Sequence, residues 1–399
     1  MIAFPILGIR IDKITKPGIH KKLDEFLQSE TYDWIATINA EILVHAYNDI
    51  PYAEILNISS LNIIDGSGPQ YMARILLNEK VKRFPGVDLI EDVVERAYAN
   101  KKKILFLGGR EAVGSKLASE IVAEKFKKMY TDIQILCEQG GEMNYINDKV
   151  SIEQGRRERI LQFAPDVVLV AASNPEQEKI VHSLSEEFPS LKLGIGIGGG
   201  FNMKAGVLKR APNLFKVLGL EWLWRLILEP KRIKRIFNAV IVFPWLVTFR
   251  KFIPRLRPNV VACIVDDKNN ILVAERIHDP GHWQFPQGGI EPDHSVEETI
   301  YKELEEEVGI TKEMIGSYDI LPEKHSYTWS QDYMKQHYRS VYQGQKQTVA
   351  IVHFKGSHDD IVVDKKEFSK AIWVPKHEVL ELLHPVRHSV AKIALKALE

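Results

Sequence analysis

The sequence predicts an α/β chain of two domains, on three observations. Short, mostly apolar runs alternate with amphipathic helical periods over roughly the first 250 residues. A basic, proline-containing stretch, Lys251–Arg257, then interrupts the pattern, and a fresh strand run, Val260–Val265, follows it. The length of 399 residues suits two or three domains of ordinary size.

Within the first part, buried strands are expected at Trp34–Ile38, Leu61–Ile64, Ile104–Leu107, Ile133–Leu136, Val167–Ala171 and Leu193–Ile197. Amphipathic helices are expected between them, among them Val87–Ala99 and Arg110–Lys127. Such alternation argues for a parallel sheet covered on both faces. In that architecture ligands sit at the carboxyl ends of strands, so the loops that follow the strands are the place to look. Those loops carry Thr37-Ile-Asn39-Ala-Glu41, Asp65-Gly66-Ser67-Gly68, Gly108-Gly109, Ser173–Glu178 and Gly194–Gly200. Gly194, Gly196 and Gly199 have the spacing of a dinucleotide fingerprint. That run comes after several βα units, and Phe201–Gly206 is a poor helix start, so an NAD-dependent dehydrogenase rests on it alone.

Composition narrows the classes. Hydrophobic residues make up 45% and charged residues 27%, a balance that can bury real cores. The formal net charge of zero offers no global attraction to nucleic acid or to an acidic membrane, so local charge has to be examined. Two cysteines, Cys137 and Cys263, fit a reducing cytosol without a disulfide framework. The N-terminal run is short and lacks a basic n-region, which argues against a signal peptide. No apolar run reaches the ~18–20 residues that span a bilayer.

Local charge is uneven. From Lys204 to Arg257 there are thirteen Lys or Arg residues against two acids, Glu221 and Glu229, with Trp222, Trp224, Phe237, Phe243, Trp245 and Phe249 interleaved. Basic and aromatic residues on amphipathic segments suit the membrane interface, lying on it rather than crossing it. Each basic residue near an anionic leaflet adds about 1 kcal/mol, so several anchor a peripheral protein reversibly.

The N-terminal loops also carry a resemblance. Thr37-Ile-Asn39, Asp65-Gly66, Arg83-Phe-Pro-Gly-Val-Asp88, Pro175-Glu-Gln177-Glu178, Gly198-Gly199, Arg210-Ala-Pro212, Glu221–Leu226 and Glu229-Pro230-Lys-Arg232 stand in order over about residues 3–250. Together they resemble the WecG/TagA/CpsF glycosyltransferase family. Ala172-Ser173-Asn174 departs from it, where the family is usually Gly-rich. The resemblance implies inverting transfer of an N-acetylmannosamine-type sugar from a UDP donor to a polyprenyl-diphosphate-linked amino sugar in the cytoplasmic leaflet. It also implies a homo-oligomer and a cytoplasmic protein peripheral on the inner membrane face, with no metal required for transfer. Inversion needs one base on the acceptor hydroxyl, opposite the leaving group. Asp65 is the candidate base, although an Asp-Gly turn alone would also put an acid there. Thr37 and Asn39 would hold sugar hydroxyls, and Arg83 would offset leaving-group charge. Gln177 and Glu178 would line the nucleotide–sugar pocket, or simply begin the helix after Pro175. Arg225, Arg232 and Arg235 would close over the diphosphate.

The C-terminal part is marked by Gly288–Ile310. A Gly pair leads into a helix bearing Glu303, Glu306 and Glu307 at i, i+3 and i+4, three acids on one face. Their mutual repulsion makes sense around a hard divalent cation, Mg²⁺ or Mn²⁺, bridging to phosphate. The stretch resembles the Nudix box, with Gly288, Glu303, Leu304, Glu306, Glu307, Gly309 and Ile310 matching. His294 stands where the box has its first Glu, and Lys302 where it has Arg. Arg257-Pro-Asn-Val260, Trp283–Ile290, Gly344-Gln-Lys-Gln347 and Glu367-Phe368 extend the likeness over about residues 257–395. They are similar to the RNA pyrophosphohydrolase and dinucleoside-polyphosphate hydrolase branch. The resemblance implies an α/β/α domain over 257–399, after a glycosyltransferase domain over 1–252 whose appendage is 204–252. It implies Glu367 as a further metal ligand, Arg276 near the substrate phosphates, and a nucleotide or RNA 5′ end as substrate. Glu306 and Glu307 are both candidate general bases for water attack on a phosphoanhydride. The departures at 294 and 302 leave a second possibility, a non-catalytic nucleotide-binding module.

Overall fold

The computed structural model describes residues 3–399 except 77, 111–115, 140–143, 147–148, 210, 213–214, 216–220, 250–253, 292, 331–332 and 334–340. Two units result, Met1–Ile253 and Pro254–Gln331 with Tyr342–Glu399.

The first unit opens with an antiparallel hairpin, β1 (Ala3–Ile6) and β2 (Ile9–Asp12). Its sheet is built from β3 (Asp33–Ile38), β4 (Leu61–Ile64), β5 (Ile104–Gly108) and β6 (Ile135–Glu138). After a small hairpin, β7 (Asn144–Ile146) with β8 (Lys149–Ser151), come β9 (Val167–Ala171) and β10 (Leu193–Gly196). The order is β4-β3-β10-β9-β5-β6, with every pairing parallel. Strands buried along their whole length, such as β4, β5 and β10, need cover on both faces, and they receive it. Helices Lys16–Gln28, Gly86–Ala99, Ala118–Met129 and Gly200–Lys204 share one apolar cluster with Ile35, Ile63, Phe106, Leu169 and Ile195. Helices Ala40–Asn48, Ile50–Ile58 and Glu176–Glu187 cover the other face.

This distribution creates the feature that matters. Neighbouring strands β3 and β10 send their following helices to opposite faces: Ala40–Asn48 to one and Gly200–Lys204 to the other. A crevice opens at their carboxyl ends, the topological switch point of an open parallel sheet.

Two expected elements start later by two residues or more. Strand β6 starts at Ile135 rather than Ile133, because Gln134 O already accepts Ile104 N and the first paired residues are Ile104 and Ile135. The helix expected from Arg110 starts at Ala118. Glu120 accepts the N–H of Leu117, so a residue that reads as helix interior is a capping residue.

After the sheet come a helix at Glu221–Leu228, a 3-10 turn at Pro230–Arg232, and a rod of helix at Ile233–Phe237, Asn238–Val242 and Phe243–Phe249. The middle segment is a π turn in which Phe243 N bonds Asn238 O. Pro244, with no N–H to give, follows at once, which accounts for the widened turn. Phe243 and Leu246 face inward and are buried. Ile233, Phe237, Ile241, Trp245 and Phe249, four residues apart, form an exposed stripe.

The second unit is a mixed sheet of β11 (Leu256–Val265), β12 (Asn270–Arg276), β13 (Trp283–Gln284), β14 (Gln287–Gly289), β15 (Ile315–Thr328), β16 (Gly344–Phe354) and β17 (Phe368–Pro375). The order is β13-β12-β11-β16-β15, with β14 on β11 and β17 on β12. Only β11 and β16 pair in parallel among these. Alternation sorts β11: Val260, Ala262 and Ile264 face helix Val296–Val308, while Val261, Cys263 and Val265 face helix His388–Ala397. The result is helix, sheet, helix.

Phe106 packs on Phe201 at 4.7 Å with the rings tilted by 39°, and meets Phe126 edge-on at 6.4 Å in the first core. Phe106→Ala is expected to destabilise the first unit by about 3–5 kcal/mol, seen in calorimetry as a lower midpoint for one transition only; an unchanged midpoint would contradict this packing.

Candidate functional site

At the crevice, Thr37, next to last in β3, donates its hydroxyl to Gly196 O at 2.9 Å, where the two chains begin to diverge. Asn39 follows, and its side chain accepts Ile42 N at 3.0 Å, so it caps helix Ala40–Asn48. Asp65 follows β4, its N–H held by Ile38 O at 2.9 Å and its Oδ1 accepting Gly86 N at 3.1 Å. Arg83 bridges to Ile64, and Phe84 N bonds Ile64 O, which places Arg83 beside Asp65. Gly66 lies against Asn39, 3.5 Å from where its Cβ would stand. Thr37, Asn39, Asp65 and Arg83 thus come from three separate segments to one end of the sheet.

Gln177 and Glu178 reach the same region but are buried, in the first turn of helix Glu176–Glu187. Gln177 Oε1 accepts Gly198 N at 2.6 Å and its Nε2 donates to Glu178 Oε1 at 2.8 Å. Tyr52, to which nothing in the sequence pointed, donates to Glu178 Oε2 at 2.8 Å. Burial pushes the Glu178 carboxyl up to about 7. The glycine run is explained by packing rather than by a dinucleotide. A Cβ at Gly194 would strike Tyr32 Oη at 1.9 Å, and one at Gly196 would strike Gln177 Nε2 at 2.3 Å.

The basic tail is tied to this region. Arg235 pairs with Glu41, on the helix that Asn39 caps. Glu229 holds Arg232 at 2.9 Å and Arg110 at 3.0 Å. Arg225 sits on helix Glu221–Leu228, but its side chain, like Arg210, lies outside the described residues.

In the second unit, helix Val296–Val308 begins with a reciprocal cap between Ser295 and Glu298 and ends at Gly309, whose φ is 71°. Ile300, Leu304 and Val308 anchor it to the sheet. That orientation leaves Glu306 exposed and Glu303 half-buried, while Glu307 is buried with Oε2 accepting Gln287 N at 2.9 Å. Burial first, then the charges of Glu367 and Glu303, push Glu307 up to about 9. Glu303 is raised by burial and by Glu306. The Glu367 C=O closes the β12 end, accepting Ile277 N, while its N–H donates to Asp364 O, and Arg276, exposed, pairs with Phe368. The four acids and Arg276 therefore share one end of the unit. Gly288 makes room for this: a Cβ there would lie 1.8 Å from Glu303 Cδ. Gly289 does the same for Arg257, at 2.3 Å, and Arg257 is close enough to act on Glu303.

The departures from the Nudix box have a local answer. Lys302 Nζ lies 3.1 Å from Glu291 Oε1, and His294 Nδ1 lies 3.5 Å from Glu291 Oε2. Glu291 thus places a carboxylate beside both departing residues. Among the described residues, the acidic and histidine ligand atoms that gather within 4.8 Å are those of Glu291, Asp293 and His294. The acids of Glu303, Glu306, Glu307 and Glu367 are more widely spread. An acid of raised proton affinity and a glycine cradle that seats Glu303 nevertheless fit that quartet to a divalent cation.

Comparison with known proteins decides the family. The model of the glycosyl transferase WecG/TagA/CpsF family matches residues 4–257. The chain belongs to this family. A model of the NUDIX domain matches residues 255–395, so a Nudix domain follows the transferase. The N-acetylglucosaminyldiphosphoundecaprenol N-acetyl-beta-D-mannosaminyltransferase of Bacillus subtilis (strain 168) is 34% identical over 204 residues, 51% of this chain and 75% of that protein. A Staphylococcus aureus (strain MRSA252) protein of the same name is 29% identical over 240 residues, 59% of this chain and 89% of that one. The structure of the E. coli dihydroneopterin triphosphate pyrophosphohydrolase aligns with 35% of this chain and 95% of its own, at 15% identity and a TM-score of 0.30. Family membership makes the chain an enzyme, with a glycosyltransferase unit and a Nudix hydrolase unit.

Gly288→Ala is expected to displace Glu303 and weaken Mg²⁺ binding at least tenfold by calorimetry, with the circular dichroism spectrum unchanged. Wild-type affinity in the variant would show that Glu303 is no ligand.

Proposed function

We propose that the first unit transfers N-acetylmannosamine from UDP to an N-acetylglucosamine carried on a polyprenyl diphosphate, with inversion, in the synthesis of a cell-surface polysaccharide. The observation that carries this reading is the meeting of Thr37, Asn39, Asp65 and Arg83 at the switch-point crevice. Asp65 takes the proton of the acceptor hydroxyl as that oxygen attacks the anomeric carbon, and the bond from that carbon to UDP breaks. Asp65 is oriented for this by Gly86 N–H. Arg83 faces the diphosphate as its charge develops. Thr37 and Asn39 line the sugar. The names of both relatives support the sugar transferred and the acceptor chosen.

The acceptor's lipid calls for a membrane surface. No helix among the described residues is long and apolar enough to cross a bilayer. The stripe Ile233, Phe237, Ile241, Trp245 and Phe249, flanked by Lys231, Arg232, Lys234 and Arg235, fits docking on the cytoplasmic face of the membrane. Arg225, Arg232 and Arg235 lie on this segment and would close over the UDP diphosphate once it docks. The family likeness also favours a homo-oligomer.

The second unit hydrolyses a phosphoanhydride in a nucleoside-diphosphate-linked substrate, which includes nucleotide sugars, nucleotide products and RNA 5′ ends. Glu303, Glu307 and Glu367, with Glu306, would hold Mg²⁺ or Mn²⁺, which supplies charge neutralisation and an activated water. Glu307, buried and held by Gln287 N–H, is a fixed group, whereas Glu306 is exposed. Arg276 and Arg257 bind phosphate. Glu291 on Lys302 favours a working hydrolase over a purely regulatory nucleotide-binding module.

Asp65→Ala is expected to lower acceptor-dependent UDP release at least a hundredfold while leaving nucleotide hydrolysis intact, as one catalytic base contributes ~10²–10⁴-fold; undiminished release would remove Asp65 from the chemistry. Replacing Phe237, Ile241 and Trp245 together by Ser is expected to cut sedimentation with anionic liposomes at least tenfold. Equal sedimentation would move the membrane contact elsewhere.

A further inference from the structure

Glu178 is expected from sequence to touch the donor, yet it is only 1% exposed and both of its oxygens are engaged by protein donors. The bonds form one chain. Tyr52 Oη donates to Glu178 Oε2, Gln177 Nε2 donates to Glu178 Oε1, and Gly198 N donates to Gln177 Oε1. The Gln177 amide fills the space that a side chain at Gly196 would take, and Gly196 O receives the Thr37 hydroxyl. Gly198 has a φ of +54°, and a Cβ on it would meet nothing within 4 Å, so the turn is open on that side.

A primary amide fits its site in two ways, related by a half-turn. An ionised carboxylate accepts only, so it must meet the amide NH₂, which leaves the amide oxygen for Gly198 N–H. A neutral acid can donate. It tolerates the reversed amide, which would set an NH₂ against Gly198 N–H, two donors face to face.

We propose that Glu178 is a positioning residue for glycosyl transfer: its ionised carboxylate fixes the Gln177 amide, which in turn holds the Gly196–Gly199 turn at the crevice. The idea rests on that crevice being the transfer site. Burial brings Glu178 to about 7, so both forms are present near neutrality. The other titratable groups nearby do not replace it in this role. Tyr52, from helix Ile50–Ile58, is held well above its ordinary range and stays a donor. Glu176, on the same helix as Glu178, adds by its charge to the rise of both Glu178 and Tyr52, and Glu41, from helix Ala40–Asn48, acts by its charge on Tyr52. Lys179 lies 5.9 Å from the Tyr52 ring and pairs with Asp49 at 3.5 Å.

The test compares full-length wild type with Glu178→Gln, a neutral isostere, in two readouts. In transfer assays with UDP-N-acetylmannosamine and a lipid-diphosphate acceptor, wild-type kcat is expected to fall as pH drops below about 7. The variant should lose that inflection. Its kcat at pH 8 should be lower by about tenfold, with the donor KM within about twofold, as for loss of one charge-assisted hydrogen bond. In a Gln177→Ala background the same change should alter kcat by less than about twofold, since the two residues act as one unit. An E178Q enzyme that keeps the wild-type inflection, or changes kcat equally in both backgrounds, would overturn the proposal.

The second readout does not need turnover. Folding raises the Glu178 pKa from 4.5 to about 7, so the folded state binds that proton more tightly. The stability this gives wild type over E178Q is full below pH 4.5 and is lost as pH rises to about 7. A wild-type Tm that falls relative to that of E178Q across that window supports the relay, and a difference that stays constant overturns it. Absence of product from wild type with this donor would count against the transfer reading, and the Tm difference would still decide whether Glu178 titrates as the relay requires.

Discussion

The hydrogen bond from the Thr37 hydroxyl to Gly196 O extends the β3–β10 ladder to the point where the two chains part to opposite faces of the sheet. Parallel strands gather their loops at one end, and only where neighbouring loops diverge is there room for a ligand between them. Everything assigned to transfer follows from that geometry. Asn39 leaves β3 on one side, the Gly196–Gly199 turn leaves β10 on the other, and β4 adds Asp65 with Arg83 drawn in beside it. The glycines are required because Tyr32 and Gln177 occupy the volumes where side chains would stand.

The second unit solves a different problem, which is to keep several like charges together on folding. Leu304 and Val308 commit the helix to the sheet, so its acids cannot all turn to solvent. Glu307 stays buried at the cost of a raised proton affinity, partly relieved by Gln287 N–H. Gly288 removes the side chain that would push Glu303 away, and Arg257 supplies an opposing charge. A site arranged this way is poised for a cation, which would relieve the repulsion among its carboxylates.

Much of this was legible in the sequence because it is written in short-range pattern. The apolar runs at Leu61–Ile64 and Val167–Ala171 are strands over those same residues, since fully buried strands leave no alternation to misread. The acidic face of Val296–Val308 follows from helical spacing. What stayed hidden depends on contacts between distant segments. Tyr52 gives no local sign that it meets Glu178, 126 residues away, and Arg235 none that it reaches Glu41. Gln177 and Glu178 looked like pocket residues from their motif, but only burial reveals that they serve one another. The meeting of Glu291 with His294 and Lys302 was equally invisible, because the chain has to fold before the carboxylate lands on Lys302.

Transfer releases a nucleoside diphosphate, and Nudix chemistry cleaves phosphoanhydrides, so the two units act on chemically related groups through separate residues. The central claim is that the crevice transfers sugar by itself, without the metal that the acidic helix would hold. The direct measurement is product analysis by liquid chromatography and mass spectrometry. Full-length protein would receive UDP-N-acetylmannosamine with and without the lipid-diphosphate N-acetylglucosamine acceptor, each with Mg²⁺ or with excess EDTA. The account predicts a lipid-linked disaccharide and UDP wherever acceptor is present, in EDTA as well as in Mg²⁺, and hydrolytic products only with Mg²⁺. A disaccharide that disappears in EDTA, or UDP release that ignores the acceptor, would contradict it.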